Sequence, residues 1–172
     1  MPYAFGHLVG AWIVMKGYEF LSKKKMNRTF WGVFMLGAIL PDIDFIVEWI
    51  LNIPFHRFLT HSITFTLFAG LITFLFFKYY KKETKNNANT LAIAMIIGCL
   101  IHLALDMFYH PGILLLWPIE GWFSWYGYIP GSFSTFFSER VDQAIFAKNM
   151  LHDMVLGTLW IIWLYWRKNI TF

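Results

Sequence analysis

The chain of 172 residues is 58% hydrophobic and only 14% charged, and it contains 9 Trp and 19 Phe. This balance excludes an ordinary soluble domain and indicates a polytopic membrane protein. The formal net charge of +4 does not indicate a nucleic-acid partner, because the basic residues lie in short clusters between apolar segments. The single cysteine, Cys99, excludes an intramolecular disulfide.

Five apolar segments predict five transmembrane helices, at residues 3–21, 29–53, 61–80, 90–109 and 150–166. Each segment is close to the ~20 residues that cross a ~30 Å hydrocarbon core. No polar stretch is long enough to build a soluble core, so we expect an all-α helical bundle with a single membrane domain over residues 1–172. The first segment lacks the basic start and cleavage site of a signal peptide, and we expect it to be a mature helix.

Basic clusters follow the first, third and fifth segments and predict the orientation of the chain. By the positive-inside rule these clusters lie in the cytoplasm. We therefore expect a multi-pass protein of the cell (inner) membrane with its amino terminus outside and its carboxyl terminus in the cytoplasm. The clusters are Lys23, Lys24, Lys25 and Arg28, then Lys78, Lys81, Lys82 and Lys85, then Arg167 and Lys168.

Residues 110–149 are interrupted by Pro and Gly and are rich in Trp, Phe and Tyr. This composition predicts an external amphipathic or re-entrant segment in the aromatic belt of the membrane. Such a segment forms either a lid or lipid-facing wall over a site, or only an interfacial anchor.

Histidines and carboxylates of metal-ligand type recur toward the same end of the five segments. Counting ~1.5 Å of rise per residue along each helix places these residues roughly 18–25 Å above the cytoplasmic end of their segment. Ionisable groups inside a membrane are costly and mark functional sites, so we predict a metal site near the outer-leaflet boundary. These residues are His7, Asp42, Asp44, His56, His61, His102, Asp106, His152 and Asp153.

The second segment contains Leu-Pro-Asp-Ile-Asp at residues 40–44. Pro41 removes a helix hydrogen bond and predicts a break or kink in the span. Asp42 and Asp44 are two residues apart and do not share a helix face. Both can be ligands only if the backbone is irregular or each carboxylate serves a different ion. The alternative is a simple proline kink whose acids are satisfied by neighbouring groups.

His-Arg-Phe-Leu-Thr-His-Ser, at residues 56–62, precedes the third segment. Thr60 or Ser62 can cap the incoming helix and so fix the direction of His61. Arg57 is suited to holding a phosphate in a bidentate grip, or alternatively to anchoring the chain among the lipid headgroups.

In the fourth segment, His102 and Asp106 are four residues apart, so both project from one helix face and can bind one ion. His110 follows one further turn along the chain, and we expect it to be an interfacial histidine rather than a ligand.

The order of these motifs, with a histidine near the start and a Trp-Pro stretch near residue 117, resembles the YdjM-type family of membrane-bound metal-dependent hydrolases. The resemblance covers nearly the entire chain. That family is distantly similar to zinc phospholipase C and the P1-type nucleases, helical enzymes that split phosphodiesters with clustered zinc ions. The resemblance implies metal ligation by His7, Asp42, His61 or His56, His102 and Asp106, with Asp106 as a candidate bridge between two ions. The soluble enzymes also have a histidine four residues before an acid late in the chain. This pair is not matched here, because the fourth residue before Asp153 is Asn149.

Residues and resemblance together predict a membrane-embedded hydrolase that holds zinc or another divalent metal, with two or more ions. At headgroup depth the expected partner is a membrane lipid, and the expected reaction is hydrolysis of a phosphoester in a lipid or lipid-linked substrate. Predicted catalytic residues are Asp42, Asp44 and Arg57, and predicted metal ligands are His7, Asp42, Asp44, His56, His61, His102, Asp106 and Asp153. Two alternatives remain at this stage: a metal or proton transporter, and a non-catalytic membrane protein with a structural metal site.

Overall fold

Six α-helices and one β-hairpin form the described part of the chain. The structure is a computed structural model, and it describes residues 4–51, 57, 59–108, 112–130 and 143–167. The prediction of a mainly helical protein is therefore confirmed. The helices are α1 (Ala4–Ser22), α2 (Arg28–Gly37), α3 (Asp44–Leu51), α4 (Ile63–Leu75), α5 (Lys85–Asp106) and α6 (Gln143–Trp166).

Three short helical turns connect these helices. A 3₁₀ turn at Leu40–Ile43 joins α2 to α3, and a second at Leu59–His61 precedes α4. A turn of π-helix at Phe76–Tyr80 continues α4. Both 3₁₀ and π-helical turns interrupt the regular i to i+4 ladder, and such interruptions often mark hinges or functional sites.

Polar caps fix where the helices begin. The Asn27 side chain accepts a hydrogen bond from Phe30 N (2.7 Å) at the start of α2. The Ser62 hydroxyl accepts one from Phe65 N (3.1 Å) and is the cap of α4, as the sequence allowed. Each cap satisfies a backbone N–H that has no partner within its helix.

Helix α5 lies at the centre and packs against α2, α4 and α1, while α6 packs against α1. Helices α2 and α5 approach closely through Gly37 and Gly98. A Cβ atom on Gly98 would lie 2.2 Å from Phe34 O, and one on Gly37 would lie 2.5 Å from Met95 O. Small residues allow two backbones to come this close.

The apolar core lies among α1, α2, α4 and α5. Its buried residues are Ala11, Met15, Phe30, Val33, Phe34, Ala38, Ala69, Leu91, Ala94, Met95 and Cys99. Large apolar side chains such as Phe68 and Leu71 on α4 and Leu159 on α6 are exposed on the outer faces. Outward-facing apolar helices fit a lipid environment rather than water.

Two helices among the described residues are long and apolar enough to cross a membrane: Ile63–Tyr80 and Lys85–Asp106. A third candidate is the pair Arg28–Gly37 and Leu40–Ile46, bent by 53° at the break. This bend lies where Pro41 predicts one. Helix α1 occupies its predicted position, but α6 begins at Gln143, seven residues before the predicted span and inside the predicted external segment. Neither helix is among the candidate spans. The five-span arrangement stays a prediction.

The described part of the aromatic segment forms a hairpin, which the sequence analysis did not predict. Strands β1 (Trp122–Ser124) and β2 (Gly127–Ile129) pair antiparallel, with Phe123 opposite Tyr128. The hairpin attaches to the carboxyl end of α5, because Trp125 donates from Nε1 to Ala104 O (2.7 Å) and from its backbone N to Met107 O (3.0 Å). It therefore covers the end of the bundle at which His102 and Asp106 lie.

Candidate metal centre

Five histidine and aspartate side chains meet at one end of the bundle. His7 comes from α1, Asp42 from the turn after α2, His61 from the turn before α4, and His102 and Asp106 from α5. Asp42 is 9% exposed and the other four are 0% exposed. The structure thus brings together residues that are up to 99 positions apart in the sequence, at the end where the depth argument placed them.

Asp106 bridges two of the histidines. Its Oδ1 lies 3.2 Å from His7 Nε2, and its Oδ2 lies 3.2 Å from His61 Nε2. Asp42 approaches from the other side, with Oδ1 3.5 Å from His102 Nε2. One ligand atom each from His7, Asp42, His102 and Asp106 can be chosen so that all four lie within 4.8 Å of one another. One group of this size can hold a metal ion.

His61 belongs to the same cluster. Its Nε2 lies 3.1 Å from His102 Nε2 and 3.7 Å from Asp42 Oδ1. The His7 and His102 rings stack, with centroids 3.7 Å apart and planes inclined by 21°. Three imidazoles and two carboxylates therefore surround one small volume.

The outer nitrogens of two rings have partners that fix their tautomers. His102 Nδ1 lies 2.8 Å from Ala38 O, which can only accept, so Nδ1 carries the proton. His61 Nδ1 lies 3.2 Å from Asp44 Oδ2 in the same way. In the neutral rings both Nε2 atoms then present lone pairs, although they are only 3.1 Å apart. Two facing lone pairs repel unless a cation or a proton lies at this point, and a metal-bound histidine usually has this outer hydrogen bond.

Asp44 is placed behind His61 rather than among the inward-facing groups. Its Oδ2 accepts hydrogen bonds from Thr60 Oγ1 (2.7 Å) and from Arg57 N (3.0 Å), besides its contact with His61 Nδ1. The irregular backbone at the 3₁₀ turn thus gives the two acids different positions. Asp42 faces the cluster, and Asp44 orients a histidine of the cluster.

Several buried atoms of the cluster make no hydrogen bond within the described residues. They are both ring nitrogens of His7 and both carboxylate oxygens of Asp42 and of Asp106. A buried carboxylate without compensation costs several kcal/mol, on the order of the desolvation penalty of an ion. A divalent cation would compensate both acids at once, and mixed imidazole and carboxylate donors suit zinc and similar ions. The residues present therefore fit a divalent metal.

Arg57 lies beside the cluster and is turned toward it. Its Nε is 3.9 Å from Asp106 Oδ2, its Nη1 donates to Gly112 O (3.5 Å), and its side chain is 11% exposed. This low exposure does not fit an anchor that extends to the headgroups. The backbone has a φ of 69°, which is uncommon for a residue other than glycine, and Asp44 holds it by accepting from Arg57 N.

The model of the YdjM inner membrane protein family matches residues 1–171. The chain belongs to this family. The resemblance inferred from the motifs is thereby confirmed, and the family and the apolar helices together indicate a membrane protein. No curated protein and no solved structure is similar enough to count as a match. None of these comparisons supports the more distant likeness to zinc phospholipase C and the nucleases.

Other predicted site residues of this YdjM family member lie elsewhere. Asp153 is buried, but its two oxygens accept hydrogen bonds from Phe5 N (2.9 Å) and Gly6 N (2.8 Å) at the start of α1. It caps this helix and is not part of the group that could hold a metal. His152 is exposed on α6. His56 and His110 lie outside the described residues.

Sequence analysis missed two backbone groups of the site, the carbonyls of Ala38 and Gly112. No residue type signals a carbonyl acceptor, so neither was predictable from composition or spacing. Thr60 was considered only as a helix cap, although its position beside His61 is a signal for a partner of the histidine. In the structure Thr60 Oγ1 lies 3.1 Å from His61 Nδ1 and donates to Asp44.

Proposed function

We propose that this YdjM family member is a membrane-embedded, metal-dependent hydrolase that cleaves a phosphoester in a lipid or lipid-linked substrate. One observation supports this most directly. Three histidines and two aspartates face one another in a buried site, and a guanidinium lies 3.9 Å from one of the acids. A guanidinium beside a candidate metal site is suited to phosphoryl chemistry, because its paired donors can hold two phosphate oxygens.

Each residue of the cluster has a role in this proposal. A divalent ion bound by the cluster would polarise phosphoryl oxygens and make water more acidic. Arg57 offers planar donors that can hold two phosphate oxygens and stabilise developing charge. Asp42 retains some exposure and is suited to accept the proton of the attacking water, whereas Asp44 is already engaged by Thr60 and Arg57 and acts on the orientation of His61.

The proposal includes the five-span arrangement with the amino terminus outside. In this orientation the cluster lies near the boundary between the outer leaflet and its headgroups, because the basic clusters at the opposite ends of α1, α4 and α6 face the cytoplasm. The phosphate of a lipid lies at this depth. A lipid substrate could therefore reach the site without leaving the membrane.

Hydrolysis is favoured over transport by what lies below the cluster. Between the cluster and the cytoplasmic end of the bundle, the described core consists of apolar side chains, including Met15, Phe34 and Met95. The buried hydroxyls of Thr66 and Thr73 on α4 donate to carbonyls of their own helix, Ser62 O (3.0 Å) and Ala69 O (2.8 Å). Among the described residues, no series of polar groups leads from the cluster to the opposite end of the bundle. A transport pathway requires such a series.

Elemental analysis of the detergent-purified protein tests the metal centre. We expect zinc or another divalent metal in the wild type, at two or more equivalents, and its loss in His102→Ala and in Asp106→Ala. His152→Ala is the matched control, since this exposed histidine on α6 should leave the metal content unchanged. A well-folded wild type that contains no metal and cannot rebind it would contradict the hydrolase proposal. Metal-loaded protein is then assayed for phosphate-ester cleavage on phospholipids, beside the same variants.

A further inference from the structure

An apolar groove runs between α2 and α4 over the surface of α5. It has a volume of about 440 Å³. This lies within the range of about 300–1,000 Å³ that is usual for ligand pockets. Its walls include Leu36 on α2 and Phe65, Phe68 and Ile72 on α4, and Met95 of α5 contributes to its floor.

The groove offers only hydrocarbon contact. Among the described residues that line it, Thr73 carries the one polar side chain, and its Oγ1 already donates to Ala69 O (2.8 Å). A ligand with polar groups along its length would lose hydrogen bonds there. A chain of methylene groups would lose none.

One end of the groove is lined by residues that are close in sequence to the metal centre. Leu40 lines the groove and begins the 3₁₀ turn that carries Asp42 two residues later. On the opposite wall, Phe65 lies in the first turn of α4, four residues after His61. Asp42 is also the most exposed of the five clustered residues, at 9%. The groove therefore begins beside the least enclosed part of the site.

The groove also has the length of a lipid chain in one leaflet. Its lining on α4 and the following π-helical turn extends from Phe65 to Phe77, which corresponds to roughly 18 Å at ~1.5 Å per residue. Half of a ~30 Å hydrocarbon core is about 15 Å. A chain attached to a headgroup at the metal centre would therefore reach the far end of the groove near the middle of the bilayer.

We propose that the groove seats one acyl chain of a glycerophospholipid substrate, whose phosphate lies at the metal centre beside Arg57. This inference rests on the proposed function and specifies its substrate class. It assigns the groove-lining side chains of α2 and α4 to binding of the acyl chain, whereas the residues of the metal centre would bind the phosphate end.

Photolabelling tests the assignment without relying on turnover. The full chain, loaded with metal, is placed in micelles of a detergent without phosphate. It is mixed with a trace of phospholipid that carries a diazirine on one acyl chain, or with a diacylglycerol that carries the same labelled chain. After brief illumination on ice, the labelled residues are mapped by mass spectrometry. Leu71 is the internal reference, because it is 53% exposed on α4 and does not line the groove.

We expect the ratio of groove labelling to Leu71 labelling to be several-fold higher for the phospholipid than for the diacylglycerol. Equal ratios for the two lipids would overturn the inference. They would show that apolar chains cover the groove as they cover any lipid-facing surface, without a contribution from the phosphate. In Ile72→Trp the larger ring narrows the groove, and the phospholipid ratio should fall toward that of the diacylglycerol. The matched control is Leu71→Trp, mapped with Leu67 as reference. It adds the same ring to the neighbouring residue at similar exposure, 53% against 49%, and should leave groove labelling unchanged.

Other occupants would also be visible. If Ile72→Cys formed a disulfide-linked dimer under mild oxidation in vesicles, the groove would belong to a second copy and the inference would be wrong. Hydrolysis is followed separately with a short-chain, water-soluble phosphodiester. Phosphate-dependent labelling without any hydrolysis would keep the groove assignment and reject the enzyme. Hydrolysis of the short-chain ester without phosphate-dependent labelling would keep the enzyme and reject the groove.

Discussion

Asp44 Oδ2 lies 3.2 Å from Nδ1 of His61, on the side of the ring that faces away from Asp106. A carboxylate in this position fixes the tautomer and orientation of a ligating histidine and makes the ring more basic. The two acids of the Leu-Pro-Asp-Ile-Asp motif are therefore not equivalent. Asp42 belongs to the group that could hold a metal, and Asp44 orients a histidine beside it.

This difference predicts separable effects of two equally conservative substitutions. Asp44→Asn should weaken metal affinity by about 10- to 100-fold while the site still fills at high metal concentration. Asp42→Asn removes a charged ligand and should lose the metal under the same conditions. Titration against a competing chelator measures both. Equal affinities of the two variants would show that the positions of the acids do not determine their roles.

Arg57→Lys should separate metal binding from catalysis. The ammonium keeps the positive charge but loses the planar pair of donors, so kcat/KM for a phosphoester should fall by about 10²- to 10³-fold, as for the loss of a charge-stabilising donor. Metal content should not change, because Arg57 is not a ligand in the proposed site. Arg28→Lys is the matched control, because it makes the same replacement at an exposed residue of α2. Loss of metal from Arg57→Lys would instead give Arg57 a structural role.

Much of this site could be predicted from the sequence, because membrane insertion makes polar residues conspicuous. His7, Asp42, His61, His102 and Asp106 are rare residue types within apolar segments, and a simple count of helical rise places them at one end of the bundle. The division of roles between Asp42 and Asp44 could not be predicted, since it depends on the 3₁₀ backbone after Pro41. The contacts of Asp153 with the start of α1 could not be predicted for a related reason. Its partners are backbone N–H groups of α1, and these have no signature in residue type.

The fold also has parts that the sequence predicts and parts that depend on long-range contacts. Helix positions follow from apolar segments and their caps, as Asn27 and Ser62 illustrate. The hairpin at residues 122–129 escaped prediction because its strands have only three residues each, too few for an alternating pattern to be recognised. Its position depends on contacts such as Trp125 with Ala104 O, which join distant parts of the chain.

Gly98→Ala should destabilise the bundle through the contact between α2 and α5. The new methyl group would lie 2.2 Å from Phe34 O and 3.0 Å from Ala38 N, and neither backbone atom can move without shifting a helix. Overpacking of this kind costs about 1–3 kcal/mol. The shift would also displace the Ala38 carbonyl from His102, so metal affinity should fall as well.

Gly32→Ala is the matched control for this substitution. It lies on α2, and an added Cβ would meet no atom within 4 Å. Replacement should leave stability unchanged or raise it by up to about 1 kcal/mol, because alanine loses less backbone entropy in a helix. Thermal unfolding in detergent, with and without added metal, compares the two variants. A Gly98→Ala protein as stable as Gly32→Ala would mean that the helices are not closely packed at this point.

Asp153→Asn should affect stability rather than metal stoichiometry. Asp153 accepts hydrogen bonds from Phe5 N and Gly6 N, immediately before His7, so it caps the helix that carries this ligand. Loss of a helix cap costs about 0.5–2 kcal/mol, and the asparagine can replace only one of the two acceptor oxygens. We expect a lower unfolding temperature and a small decrease in metal affinity, with the number of bound ions unchanged. His7→Ala is the comparison, and it should lose metal with little change in the cap. If Asp153→Asn instead released one equivalent of metal at saturating concentration, Asp153 would be a ligand, as the sequence analysis predicted.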